Sequence, residues 1–387
     1  MSSNVLRIAI PPPTLHVFRD TYLTAMVYPL TAVVNEVESL NYLYDRGRGI
    51  EYLEIRFRDR TGFDRYVDAL KQLNPRIDAN TLRTVFSDWE FYYDSATHSY
   101  VLRCAQTRFQ RFVYGAKLVE VSRLFYSRDW KTFVREEEVS RGGTPKRKKG
   151  FLDVYLNSVI DFTVDRIRGV RIEEVGRELF IVLSSVPTSR DQLATLAAIF
   201  SELYTVSRNA VQIRDRLRKV LGTKLSVEYP DIATLFVKLR IIDALSRQGI
   251  DISRSVFEFR FYDIEYRGRG RNVEYKYVYV GDSVSSSDVY MLSEAVASAA
   301  SMLGVASSSL RKALEKVIEV LAQLFENGMD SVAEKLIQPL RLVVDSVSRG
   351  VIDLEDLYRL LRICELESRS LPQNLAQNLL NACSSFV

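Results

Sequence analysis

Val256–Val280 reads VFEFRFYDIEYRGRGRNVEYKYVYV. Apolar and polar residues alternate on both sides of Arg267-Gly268-Arg269-Gly270-Arg271-Asn272, the pattern of two antiparallel strands and their connection. With a loop at Arg267–Arg271, Tyr266 faces Asn272. Phe257, Phe259, Phe261, Asp263 and Glu265 then share a face with Val273, Tyr275, Tyr277 and Tyr279. Glu258, Arg260, Tyr262 and Ile264 share the other with Glu274, Lys276, Val278 and Val280. This register sets aromatic beside aromatic, which cross-strand packing favours. The aromatic face packs on a core, and the tip projects Arg267, Arg269 and Arg271 between glycines that let backbone approach a ligand. A two-stranded ribbon is narrow enough for a major groove, and arginines grip phosphates without reading sequence. The alternatives for the tip are an acidic protein partner or a solvated turn.

Upstream, the spacing predicts an α+β body. Val5–Ile10 is a short strand stopped by Pro11-Pro12-Pro13. Tyr22, Leu23, Met26, Val27, Leu30, Val33, Val34, Val37 and Leu40 recur at helical spacing, with Pro29 expected to kink the helix and Gly47 and Gly49 to end the segment. Tyr52–Arg58 alternates as a half-buried strand. Thr61 is the candidate cap of a helix carrying Phe63, Tyr66, Val67, Leu70 and Leu73. Trp89–Tyr93 and Tyr100–Cys104 form a hairpin around Asp94–Ser99. Phe109–Tyr126 fits helix and strand equally. Val170–Val175 and Leu179–Leu183 read as a hairpin turning at Gly176-Arg177. Three helices follow: one through Leu193, Leu196, Ala197, Phe200 and Leu203, one at Ala210–Leu221, and one from Asp231 to Gly249.

Downstream, the Ser-rich Gly281–Asp288 reads as a domain boundary, dividing 1–284, with a further possible boundary near 140–150, from 285–387. Beyond it the pattern is helical. Leu310, Ala313, Leu314, Val317, Ile318, Leu321 and Phe325 make one stripe. Val332, Leu336, Ile337, Leu340, Val343, Val344 and Val347 make a second. Leu354, Leu357, Leu360 and Leu361 make a third, behind Asp353 as a cap. The fold class expected is therefore α+β with small antiparallel sheets and a long hairpin, followed by an all-α bundle.

A chain of 387 residues with 47% hydrophobic and 11% aromatic content can bury a large core. No apolar run approaches the ~20 residues of a membrane span. The start, MSSNVLRIAIPPP, lacks a basic leader region, so a cytoplasmic protein is expected. Cys104, Cys364 and Cys383 stand far apart, and only His16 and His98 accompany them. That excludes the usual zinc spacings and argues against Ser-His-Asp or Cys-His catalysis. GxxxxGK[ST] and GxGxxG are absent, so no nucleotide cofactor is expected.

Net charge is +4, unevenly placed: residues from Ser285 onward hold 9 basic and 13 acidic side chains, and the first 284 carry the surplus. Arginine outnumbers lysine 40 to 13, which suits phosphate recognition, although a genome that favours arginine codons gives the same excess. Candidate contacts are Arg267, Arg269, Arg271 and Lys276 on the hairpin, and Arg141, Lys146, Arg147, Lys148 and Lys149 in an apolar-free run that reads as an exposed loop. Arg214 and Arg218 are candidates on the Ala210–Leu221 helix. Arg108-Phe109-Gln110-Arg111-Phe112 and Tyr114 could stack on unpaired bases or simply fill a core.

Asp263 followed by Glu274-Tyr275-Lys276 matches the D…(D/E)xK spacing of metal-dependent nucleases. In the register above Asp263 lies opposite the face of Glu274 and Lys276, so no catalytic or metal site is assigned.

The start Leu6-Arg7-Ile8-Ala9-Ile10-Pro11-Pro12-Pro13-Thr14 leads into an aromatic-rich helix with Tyr22 and Tyr28. With the basic protrusions of the α+β body and the helical C-terminal segment, this layout resembles the large subunit of archaeal type I-A CRISPR Cascade complexes over most of the chain. The likeness is one of architecture, not of a motif. It implies a non-catalytic subunit of an antiviral complex that contacts guide RNA and target DNA and docks on other subunits. A scaffold subunit of another assembly is the alternative from a different class, and a nuclease using Asp263, Glu274 and Lys276 is a third.

Overall fold

A computed structural model describes residues 4–10, 16–46, 50–73, 89–104, 176–206, 213–215, 220–222, 224–225, 228–267 and 274–384. Val5–Ile10 (β1) is the middle strand of a five-stranded sheet. Its alternation aims Leu6, Ile8 and Ile10 at the core. His16–Thr31 (α1) follows, then Val37–Asp45 (β2), Ile50–Phe57 (β3), Arg60–Leu73 (α2), Trp89–Asp94 (β4) and Ser99–Cys104 (β5). The sheet order is β2-β3-β1-β5-β4. Strand β3 is antiparallel to both β1 and β2, so β1–α1–β2 is a split β-α-β unit. The β1–β5 pair is parallel, an exception to the antiparallel sheets expected.

The helix expected through Leu40 stops at Thr31, two residues past Pro29, and a 3₁₀ turn at Val34–Glu36 leads into β2. Val37 and Leu40 are three apart, a helical spacing, yet both are buried in a strand. A bulge between Val37 and Ser39 inserts the extra residue that returns both to the core face, opposite Phe57 and Ile55.

Asp59, not Thr61, caps α2: Gly62 N–H donates to Asp59 Oδ1 at 2.9 Å. Gly62 is also where α2 meets the turn before β2. A Cβ there would sit 2.8 Å from Glu36 Cβ. Gly62→Ala is expected to cost about 1–3 kcal/mol, read as a lowered urea midpoint. Tyr66, one turn on, is fully buried and donates to Met26 C=O at 3.0 Å, fastening α2 to α1.

The β4–β5 hairpin closes at Asp94↔Ser99, as its sequence predicts. Asp94 accepts from Ala96 N–H and the Thr97 hydroxyl, and these bonds hold its carboxyl below the usual range.

The second sheet has three strands: Gly176–Leu183 (β6), Glu258–Arg267 (β9) and Glu274–Ser285 (β10), in the order β10-β9-β6. Gly176-Arg177 are therefore strand, not a turn; residues 170–175 lie outside the described residues. Arg190–Leu203 (α3) and Pro230–Arg247 (α4) follow the expected spacing. Between them, Tyr204–Val206 (β7) pairs with Ile213–Asp215 (β8), so the helix expected at Ala210–Leu221 is interrupted. Residues 220–222 are helical.

Ser286–Leu303 (α5), Ser307–Glu326 (α6), Asp330–Ser348 (α7), Leu354–Ser368 (α8) and Gln373–Ser384 (α9) complete the chain. The three predicted stripes fall on α6, α7 and α8, and Asp353 caps α8 by accepting from Glu355 N–H. Helix α6 is buried beyond its stripe, at Val320, Ala322 and Leu324 as well, because α4, α5, α7 and α9 all pack on it. The Ser-rich stretch is a strand-to-helix junction. Ser285 ends β10 and caps α5, its hydroxyl and backbone N–H exchanging bonds with Asp288. Gly304, at φ 70°, closes α5 in the left-handed region that glycine adopts without strain. One buried apolar cluster runs from Leu6 to Cys383 across this junction. No single helix among the described residues is long and apolar enough to cross a membrane.

Candidate functional site

Strand β9 and the residue before it carry the buried phenylalanines: Phe257, Phe259 and Phe261 are buried, and Phe259 meets Phe200 of α3 edge-to-face at 5.9 Å. The pairing register differs from the one expected. The ladder closes at Arg267↔Glu274 and runs through Tyr275↔Tyr266, Lys276↔Glu265 and Tyr279↔Tyr262. It sets Glu274 opposite Arg267, Lys276 opposite Glu265 and Tyr275 opposite Tyr266. The connection is thus 268–273, which lies outside the described residues and includes Arg269 and Arg271.

Two consequences follow for the sequence reading. The hairpin is not a free two-stranded ribbon. β6 pairs with the far edge of β9 from Leu183↔Phe259 to Gly176↔Tyr266, one residue short of the closing pair. A three-stranded sheet is wider than the ribbon that a major groove admits.

The register also unites what the sequence reading separated. Pairs summing as Asp263↔Val278 and Lys276↔Glu265 place positions 263, 274 and 276 on one face. Asp263 is opposite Val278, however, so position 274 lies four residues further along, about 13 Å. Carboxylates sharing one divalent ion sit within about 4 Å of each other. Spacing along the strands, not opposed faces, is what separates this constellation. No group of three or more metal-ligating side chains occurs among the described residues.

Of the other predicted contacts, Arg214 is in strand β8 opposite Thr205, not on a helix. Arg218, Arg141 and Lys146–Lys149 lie outside the described residues, as do Arg108–Tyr114. The segment 105–175, also outside them, holds 15 basic and 10 acidic residues by sequence.

Many of the described arginines are bound to carboxylates of the fold itself. Arg7 pairs with Glu54 at 2.7 Å across β1 and β3, and Arg19 of α1 pairs with Glu51. Arg65 pairs with Glu36, and Arg341 of α7 with Asp231 of α4 at 2.8 Å. Arg260 on β9 reaches Asp20 of α1, which is fully buried, at 3.4 Å, and Glu258 at 3.2 Å. These guanidiniums hold elements together.

A buried polar cluster joins α3, α4 and α6. Glu202, 3% exposed, accepts from Arg240 and from Arg247, the latter at 2.6 Å. Arg240 also reaches Glu315 Oε2 at 3.4 Å. Glu315 Oε1 and Arg240 Nε have no hydrogen-bond partner among the described residues. Burial pushes the Glu315 carboxyl up to about 7. The Arg240 guanidinium opposes this, while the Asp243 and Glu319 charges add to it. Because α6 is covered on several sides, its one buried acid is stripped of water; the single long bond to a shared guanidinium does not compensate. Sequence reasoning missed this cluster. The available signal was that α6 carries apolar residues beyond one stripe, so that a charge among them has no solvent face. Each acid here is occupied by a structural guanidinium, and the cluster braces three helices.

Comparisons with known protein families, with curated proteins and with solved structures found no match.

Proposed function

We propose that this chain is a non-catalytic nucleic-acid-binding subunit of an RNA-guided antiviral complex of the type I-A Cascade kind, working in the cytoplasm. The observation that supports this reading is the division of labour among its basic residues. In the described fold many arginines are consumed by internal ion pairs. By sequence, two runs concentrate basic side chains with no acid between them: five in Arg141–Lys149, and three in Arg267–Arg271, which begins at the last described residue of β9. Affinity comes from phosphates, whose neutralisation releases counterions. Guide pairing supplies sequence choice, so the protein needs no base-reading groove. This agrees with a hairpin that is flanked by β6 and so is not a free ribbon.

The test is fluorescence anisotropy with labelled single-stranded and duplex oligonucleotides over a salt series. Binding is expected to weaken linearly in log K against log salt, with a slope of about −0.9 per phosphate neutralised on duplex. The triple variant R267A/R269A/R271A is expected to reduce that slope by about 2–3 and to weaken all sequences alike. Undetectable binding at low salt, or a flat slope, overturns the reading in favour of a scaffold subunit. Magnesium-dependent cleavage abolished by Glu274→Ala overturns it in favour of the nuclease.

A further inference from the structure

Asn327-Gly328 is the one Asn-Gly step in the chain. It lies at the exposed corner between α6 and α7, where Asn327 closes α6 and Asp330 begins α7. Such a step carries a chemistry of its own. The backbone nitrogen that follows an asparagine can attack the asparagine's Cγ, and glycine, having no side chain, hinders that attack least.

The fold holds the reacting atoms apart. Gly328 N–H, the attacking group, donates to Phe325 C=O at 3.1 Å, and Met329 N–H donates to Leu324 C=O at 2.9 Å. With Gly328 at φ 70°, these are the two bonds of a Schellman cap. Asn327 Nδ2 donates to Gln323 C=O at 2.6 Å, which turns the carboxamide back along α6. Asn327 also has ψ 7°. Closing a five-membered ring requires Cβ to eclipse the Gly328 nitrogen about the Cα–C bond. At a ψ near zero it is the backbone nitrogen of Asn327 that eclipses it instead.

We infer that Asn327 is a deamidation site gated by the C-terminal cap of α6, and that its isoaspartate product releases the α6–α7 corner.

The step balances with water as the only co-reactant. Once the cap opens, the Gly328 nitrogen loses its proton and bonds to Asn327 Cγ. The Cγ–Nδ2 bond breaks, and that nitrogen leaves as ammonia with the proton. Water then opens the cyclic imide. Breaking the newly formed bond gives aspartate; breaking the original peptide bond gives isoaspartate, whose main chain runs through Cβ and is one atom longer. Nothing is oxidised or reduced. Both products set a carboxylate beside Glu326 at the negative end of the α6 dipole. Only isoaspartate also lengthens the short corner Asn327–Met329, on whose spacing both cap bonds depend.

The full chain, incubated at mildly alkaline pH in buffer and in concentrated guanidinium chloride, tests this. Peptide mapping with isoaspartyl methyltransferase labelling is expected to find a gain of one mass unit and isoaspartate at position 327 in both. The reaction is expected to be at least about tenfold slower in buffer, because there it waits on opening of the cap. Met329→Ala, which weakens the apolar contact that accompanies the cap and leaves Asn-Gly intact, is expected to speed the reaction several-fold in buffer and not in denaturant. Hydrogen exchange at the amides of 328 and 329 is expected to be faster in the isoaspartate fraction than in Asn327→Asp, which carries the charge without the longer chain. Equal rates in buffer and denaturant, or a Met329→Ala rate equal to wild type in buffer, overturn the gate. Exchange no faster than in Asn327→Asp overturns the release of the corner.

Discussion

Arg240→Met is expected to destabilise the chain by about 3–5 kcal/mol at pH 8, because it leaves buried carboxylates without their shared guanidinium. Glu202 keeps Arg247, which is 57% exposed at its side chain and so a weaker partner. Glu315 loses the guanidinium it is paired with, Arg240. The loss is expected to shrink in mild acid, where Glu315 takes up a proton. The wild type carries the same signature in milder form. The folded state holds the Glu315 proton up to about pH 7, whereas an unfolded carboxyl releases it near 4.5. The group's contribution to stability is therefore full below 4.5 and is lost as pH rises to about 7. Its size is on the order of 3 kcal/mol. Glu315→Gln, which keeps the shape and removes the titration, is expected to flatten that window. Urea unfolding of wild type and both variants across this range checks the sign. A wild type whose pH profile superimposes on that of Glu315→Gln would sink the argument.

Phe259→Ala is expected to cost about 3–5 kcal/mol. Phe259 is fully buried on the central strand of the second sheet, between Leu183 on β6 and Val284 on β10, with Phe200 and Phe257 rings at 5.9 and 6.0 Å. Neighbours on two strands and a helix cannot all collapse into the space of a lost ring, so most of the cavity persists. The denaturation midpoint should fall with an unchanged slope. Tyr358→Ala on α8, 56% exposed, is the matched control and should move it by less than about 0.5 kcal/mol. Equal effects at the two positions would refute the placement of Phe259 at the centre of the core.

The elements that the sequence predicts well are those stabilised by near neighbours. The β4–β5 hairpin closes where Asp94–Ser99 predicts it, and the stripes of α6, α7 and α8 fall at their expected positions. Phe257, Phe259 and Phe261 share the buried face. The misreadings arise where a distant partner or one extra residue decides. β6 pairs with β9 some eighty positions away, and nothing local to Gly176-Arg177 distinguishes that strand from a turn. The bulge at Val37/Ser39 gives a strand the spacing of a helix. Arg214 is in a strand because Thr205 is across from it. In the candidate site, alternation was right for each strand separately. Their relative phase depended on whether the connection began at Arg267 or Gly268, and that alone moved Asp263 to the face of Glu274 and Lys276. Glu315 was invisible for a related reason: the helix that carries it is covered by four others.

The double role of Ser285 has a mechanical consequence. It is the last ladder residue of β10, opposite Glu258, and the cap of α5. There is no slack at this point, so the end of the sheet and the start of the helix turn as one lever arm. The register irregularity between Tyr279 and Ser283, inside the same strand, is where the ladder already bends. A load applied at the Arg267 end of the hairpin therefore meets its pivot at residues 280–282, and whatever rotation passes that pivot is delivered to α5 and the helices packed on it without being absorbed by a linker.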